Sequence, residues 1–457
     1  MKAFQPIMAV MALLLVVGFS PSGVAQDTTS TVLAQRLEAL DQKVRILERR
    51  WEIEQENAAA RAKQTPIFSA GKDGFLLKSA DEKYRLKLRG YLQTDGRFFA
   101  VDQAERNINT FWLRRIRPIF EGTLDKYFDF YLMPDFGEGR TVLQDAYIDF
   151  HYCPWARLRI GKFKEPFGLE RLQSGANLMF IERALPNNLV PNRDVGVQLH
   201  GELLKGTLTY AGGIFNGVAD GGSADNDPND AKDVAGRIFI HPFKNTVVEY
   251  LQGLGLGLAG STGNQQGSAS SPNLPIFKTP AQQSFFSYRS DGSVAGTTFA
   301  DGRRTRISPQ AYYYWGSFSL LSEYVFSSQE VTKGSSSTKL LNEAWQVAAT
   351  YGLTGQKTSY RGVEQTRSFE PKDDNWGAFE LAARFSKLEV DKDAFPVFAD
   401  IARVAQEAKA WAIGLNWYLD KNVKLILNFE QADFIGGANQ GNRESEKAIM
   451  GRVQISY

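Results

Sequence analysis

One cysteine, Cys153, is all that the 457 residues contain, so no intrachain disulfide and no multi-cysteine metal site can form. Histidine is nearly as scarce: His151, His200 and His241 stand far apart without HExxH-type spacing, and neither a metal nor a cofactor is expected. The 53 Lys and Arg nearly balance the 51 Asp and Glu, which leaves a nucleic-acid partner no bulk charge to bind. No GxSxG occurs, and a Ser/His/Asp set would have to draw on one of three isolated histidines. No catalytic residue is nominated, and an enzyme is not expected. After Ala25 there is no apolar run of about 18 residues, so no further helical membrane span is expected. A barrel strand needs only about ten alternating residues, and that possibility stays open.

Glycine and aromatic residues are plentiful, 41 glycines with 12% aromatics, as in an aromatic-rich β protein. The opening MKAFQPIMAVMALLLVVGFSPSGVAQ has Lys2, an apolar run from Ile7 to Phe19, then Gly23 and Ala25. This layout predicts a signal peptide over residues 1–25. Residues 26–64 are poor in glycine and aromatics. There Leu33, Leu40 and Leu47 recur every seven residues, as do Leu37, Val44 and Trp51. This is the narrow seam of an α-helical coiled coil, and Leu with Val in the seam allows a trimer. Pro66 ends the helical character, and residues 65–83 read as a linker.

From Tyr84 onward the period changes to two. Sixteen candidate strands lie near 84–98, 111–121, 127–135, 142–152, 156–163, 195–203, 207–215, 234–240, 252–260, 305–315, 318–328, 342–351, 376–387, 409–419, 422–433 and 447–457. Connections such as EGTLDK, CPW, LKG, GS and DK alternate with longer polar ones at 99–110, 164–194, 216–233, 261–304, 329–341, 388–408 and 434–446. A short 136–141 and a long 352–375 break the regularity. Short turns on one rim and long loops on the other are how an outer-membrane barrel is strung. The terminal RVQISY alternates Val453, Ile455 and Tyr457 to an aromatic end. A soluble sandwich has shorter, less regularly connected strands. The predicted fold is therefore all-β, a 16-stranded antiparallel transmembrane β-barrel over 84–457 preceded by a short α-helical coiled coil.

Parity then assigns faces. In YRLKLRGYLQTDGRFF, Arg85, Lys87 and Arg89 oppose Leu86, Leu88 and Leu92. A basic residue facing lipid at the midplane costs about 2–4 kcal/mol, so the basic face is expected inside. The same reasoning turns Arg157 and Arg159 inward, opposite Leu158 and Ile160. In FWLRRIRPIF, Arg115 and Arg117 share a face and are read as inward. Arg114, on the other parity, is expected near a rim or at a bulge that Pro118 would permit. Lys162 and Lys164 fall on the outward parity and are expected above the apolar band or beyond a bulge.

The segments WLRRIRPIFEGTLDKYFDFYLMPDFGEG, LQDAYIDF, LRIGKFKEPFGLERLQS, IERALPNNLVPNRDVGVQL, IFNG, GAFELAARFSKLEV and AIGLNWYLDKNVKLILNFEQADF follow one another in this order. Together they resemble the phosphate-selective porin O and P family. The resemblance implies a trimeric sixteen-stranded channel whose third long loop, here 164–194, folds inward to narrow the pore. Arginines would line the outer approach and lysines the periplasmic side. It implies an arginine pair at Arg114 and Arg115, a basic residue after GLE at Arg171 and a constriction-loop arginine at Arg183. Two positions depart from the family: SGANLMF carries no lysine, and Gln144 stands where an acid is usual, with Asp145 beside it.

The expectation is a passive outer-membrane channel for small anions, phosphate or related polyanions. Its pore-lining residues would be Arg85, Lys87, Arg89, Arg114, Arg115, Arg117, Arg157, Arg159, Arg171 and Arg183. Guanidinium groups suit oxyanions because their fork donates two parallel hydrogen bonds and stays charged. Expected partners are outer-membrane lipid, two further copies in a homotrimer, and a peptidoglycan or periplasmic contact through the coiled coil. The alternatives are a channel for another small solute and a structural outer-membrane protein.

Overall fold

A strand with one apolar and one charged face must show them to different surroundings, and closing a sheet on itself provides both. The computed structural model describes residues 27–62, 65–71, 74–100, 108–227, 229–365 and 368–457. The expected signal peptide lies outside them. Within them the chain divides into two compact units, Met1–Thr65 and Pro66–Tyr457.

In the first unit, Asp27–Ala62 forms one helix of 36 residues. Leu33, Leu37, Leu40, Val44, Leu47 and Trp51 all stand exposed along it. The second unit is the barrel. Its strands are β1 (Arg85–Phe99), β2 (Thr110–Leu124), β3 (Phe128–Asp135), β4 (Val142–Cys153), β5 (Ala156–Lys164), β6 (Arg193–Leu203), β7 (Leu208–Phe215) and β8 (Asp233–Ile240), then β9 (Leu254–Gln266), β10 (Phe299–Trp315), β11 (Phe318–Lys333), β12 (Ser336–Gly352), β13 (Ala378–Glu389), β14 (Ala405–Tyr418), β15 (Val423–Gly436) and β16 (Glu446–Ser456). Each pairs antiparallel with its sequence neighbours, and β16 closes the sheet on β1 through Ile455↔Leu92 to Ala448↔Phe99.

Burial follows the two-residue period. On β1, Leu86, Leu92 and Phe98 are exposed on the outside while Gln93 and Asp95 are buried inside. Tyr127, Tyr152, Trp155, Tyr250, Trp315, Tyr351 and Trp376 stand exposed near the rim where the short turns lie, the place of an interfacial aromatic girdle. The expected strands are all present, and two connections differ from expectation. The 329–341 stretch is not a loop: β11 and β12 run on as a ladder to Lys333↔Ser336, turning at Gly334 with φ 57°. The 65–83 linker contains a hairpin, Ile67–Gly71 with Gly74–Lys78, that pairs onto the start of β1 through Phe75↔Leu88.

Candidate functional site in the barrel lumen

The lumen is shaped first by residues 165–192, between β5 and β6. They enter at Gly168, whose φ of 79° and approach to Val190 (a Cβ would lie 2.5 Å from Cγ1) require glycine. The backbone N–H groups of Leu169 and Glu170 donate to the Glu323 carboxylate on β11. Further along, Arg384, Asn416 and Lys424 donate to the carbonyls of Glu182, Met179 and Leu178. Gln454 and Gln93 donate to those of Ala176 and Gly175. The loop thus crosses the barrel from β5 to the facing wall of β11–β16 and β1, anchored by fully buried Leu169, Leu185, Leu189 and Val190. A polar wall can hold it because each lumen side chain meets a backbone group that would otherwise be buried unpaired.

At the wall next to this loop, β2 carries a bulge. Gln93 pairs with Arg115 and Thr94 with Leu113, leaving Arg114 as the extra residue. A bulge lets consecutive side chains share a side, so Arg114 and Arg115 both reach inward, the first to Glu182 at 2.5 Å and Glu138 at 2.6 Å, the second to Gln93 at 2.7 Å and Glu182 at 3.3 Å. Arg452 on β16 joins them, 2.6 Å from Asp95 and 3.4 Å from Glu182. Burial disfavours ionisation of Glu182, but Arg114, Arg115 and Arg452 outweigh it and hold its carboxyl well below the usual carboxylate range. A second bulge lies at Gln144, where Met133↔Asp145 is followed by Pro134↔Leu143. Gln144 donates to Asp135, which also accepts from Arg117 at 2.7 Å.

Toward the short-turn rim the lumen side chains fall into tiers. Asp145 pairs with Arg193 at 3.1 Å. One step along, Tyr131 and Tyr147 face each other across β3 and β4 with ring centroids 5.2 Å apart and planes 7° from parallel. A further step brings Asp149, held by Arg159 at 2.6 Å and by His200 at 3.1 Å. Lys164 sits beside these tiers with Nζ on the Leu172 and Gln173 carbonyls and no carboxylate partner among the described residues.

These tiers border a chamber of about 1120 Å³. Its far side is formed by residues 360–365, which fold inward: the Tyr360 hydroxyl donates to Leu169 O at 2.5 Å, and Gln173 Nε2 donates back to Tyr360 O at 3.0 Å. A side cavity of about 340 Å³ continues past Arg159 and Lys164 to Arg157, Arg237 and His200. On the other side of the constriction, residues 267–298 also turn in. They bond Arg97 through Ala281 O and Asn188 through Lys278, around a buried cluster with Phe277, Phe285 and Phe286.

The sequence-nominated residues therefore part company. Arg89 and Lys87 share Glu121, while Arg85 stands exposed at the rim. Arg157 and Arg159 border the cavities. Arg115 and Arg117 are buried in ion pairs. Arg114 lies at a bulge of its own making, whereas Pro118 sits in regular register opposite Gly90. Arg171 and Arg183 turn back into their own loop, donating to Asn187 O and to the Glu170 and Gln173 carbonyls. Lys162 is buried against Leu143 O and Asp225, and Lys164 comes inside as the chain leaves β5. The sequence reading passed over Arg193, Arg384, Lys424 and Arg452. For the last three a signal existed, since each alternates with an apolar outward residue: Phe385, Leu425 and Val453.

The family model for phosphate-selective porin O and P matches residues 86–456, nearly the whole barrel unit. The chain belongs to this family. Among curated proteins, Porin O of Pseudomonas aeruginosa is 23% identical over 421 residues, spanning 84% of this chain and 91% of that one. Among solved structures, the outer membrane channel DcaP of Acinetobacter baumannii covers 83% of this chain and 99% of its own at a TM-score of 0.56 with 9% identity. OmpF of Salmonella typhi covers 82% and 99% at 0.50 with 8% identity. At such identities the structures speak for the fold alone. This porin is an outer-membrane channel, not an enzyme.

Proposed function

We propose that the porin conducts small anions of the phosphate class by passive diffusion. The observation that carries this is the charge of the chamber wall: Arg89, Arg159, Lys164, Arg193, Arg361, Lys421 and Lys424 outnumber Asp145, Glu364 and Asp420. Positive charge in a narrow lumen raises local anion concentration and repels cations. Lys164 is the strongest individual candidate for solute contact, because it lines the chamber and its Nζ rests on carbonyls with no carboxylate partner among the described residues. Arg157 and Arg159 supply further groups, while Arg114, Arg115 and Arg117 chiefly hold the constriction in shape. In a planar bilayer under a KCl gradient the reversal potential should be that of an anion-preferring pore, and phosphate should reduce the chloride current. Lys164→Met should weaken both. A cation-selective reversal potential would refute the reading.

We further infer a homotrimer assisted by the helix 27–62. Its exposed seam fits a coiled coil, and 36 residues give it a length of about 54 Å. The short-turn rim, from which the chain enters β1, is the periplasmic one in barrels of this kind. The helix would then lie in the periplasm, within reach of peptidoglycan.

A further inference from the structure

The chamber has a feature that an inorganic oxyanion does not use. Between the charged tier of Asp145 with Arg193 and that of Asp149 with Arg159 lies the aromatic tier of Tyr131 and Tyr147. Both rings border the open chamber. The face of a phenol ring carries the negative end of its quadrupole, so it offers phosphate neither charge nor a hydrogen bond. The same face attracts a guanidinium and stacks with another ring. The guanidinium carbon of Arg159 sits 4.2 Å from the Tyr147 centroid, and that of Arg89 lies 5.8 Å from the Tyr131 centroid. Cation and ring thus alternate along one wall, next to the ammonium of Lys164.

We propose that this wall is a subsite for planar aromatic anions, aryl phosphates and aryl carboxylates, which pass or lodge there more readily than inorganic phosphate. The aromatic ring of the solute lies against the tyrosine tier, and its oxyanion meets Lys164 and Arg159. The chamber, at about 1120 Å³, has room for such a solute with water around it. This inference rests on the anion-channel reading and narrows its substrate class.

The test compares phenyl phosphate with methyl phosphate, at a pH well above both second ionisations so that both are dianions, as blockers of chloride current through the full-length protein in a planar bilayer. Stacking should let phenyl phosphate half-block at about ten-fold lower concentration than methyl phosphate. The double variant Tyr131→Leu/Tyr147→Leu, which keeps apolar bulk and removes both rings, should collapse that ratio toward unity. If it fails to insert, Tyr131→Leu alone should at least halve the ratio. Equal half-block by the two esters in the unmodified porin, no block by either, or a ratio that survives in the leucine variants, overturns the inference. None of these outcomes touches anion preference, which the KCl reversal potential reports separately.

Discussion

Arg114 and Arg115 are neighbours in sequence on an extended strand, yet both side chains reach the same carboxylate, Glu182 on the inward loop. The bulge at Arg114 makes this possible, and Arg452 completes the set from the far end of the barrel sequence. One loop carboxylate held by three guanidiniums fixes the loop against the wall and cancels part of their positive charge. This explains how these arginines coexist in a confined lumen: their mutual repulsion is screened by a buried acid.

Glu182→Gln removes that acid and leaves three buried guanidiniums short of one partner. Breaking a buried pair by removing one side typically costs about 3–5 kcal/mol. Thermal unfolding in detergent should show a matching loss of stability. The lumen gains one positive charge, so variants that do assemble should show a more anion-selective reversal potential than the parent. Unchanged selectivity would mean that Glu182 is remote from the ion path.

Gly161 lies next to the tyrosine tier, opposite Tyr147 in the ladder, with φ of 134°. A Cβ there would stand 2.3 Å from Ala146 O and 2.8 Å from Tyr147 Cα. Gly161→Ala therefore combines an unfavourable backbone conformation with a backbone clash, a strain on the order of 1–3 kcal/mol. The expected results are a lower unfolding temperature and a displaced Tyr147. The latter would appear as a smaller difference between aryl and alkyl anion block.

How much of this could be read from the sequence depends on the range of the interaction. The sixteen strands and their two faces were legible because a period of two is local: Leu86, Leu88 and Leu92 against Arg85, Lys87 and Arg89 needs nothing beyond the strand itself. A bulge at Arg114 was legible only as an alternative to a rim and was ascribed to Pro118, and the bulge at Gln144 was not legible, because both are properties of the register with Gln93 and Met133 on neighbouring strands. Nor could the sequence reveal that Glu182 meets Arg452, a contact spanning 270 residues. The extension of β11 and β12 toward Lys333 and Ser336 escaped because polar residues occupy both faces there, Gln329 beside Glu330 and Thr332 beside Lys333, so alternation no longer shows. The inward fold of residues 360–365 leaves no periodic trace at all. It is specified by single contacts such as Tyr360 with Leu169.

The helix 27–62 presents Leu40 and Leu47 at 58% and 63% exposure. A long helix with an uncovered leucine seam gains stability by pairing with copies of itself. Leu40→Asp together with Leu47→Asp should lower the temperature at which the oligomer dissociates, measured by analytical ultracentrifugation in detergent after graded heating. Single-channel conductance of the barrel should be retained. A dissociation temperature equal to the parent's would show that the barrel walls alone hold the assembly.

Glu165 follows the last residue of β5. It is fully buried, and both carboxylate oxygens lack a hydrogen-bond partner among the described residues. Burial pushes its carboxyl up to about 8; Arg306 and Arg304 pull the other way, while Asp233 and Asp194 add to the rise. The sign follows from linkage. In the unfolded chain the group ionises near its ordinary value of 4.5. Below that pH both states hold the proton and there is no penalty. As pH rises to the folded value, the unfolded state is progressively favoured, and above it the folded state carries an unpaired buried charge. Stability should therefore fall across this window by a few kcal/mol at most, on the order expected from linkage. Glu165→Gln keeps the shape of the protonated form and abolishes the titration. Unfolding temperatures of variant and parent should coincide near about pH 4 and separate in favour of the variant near about pH 9. Equal temperatures at both pH values would show that Glu165 ionises freely in the folded barrel.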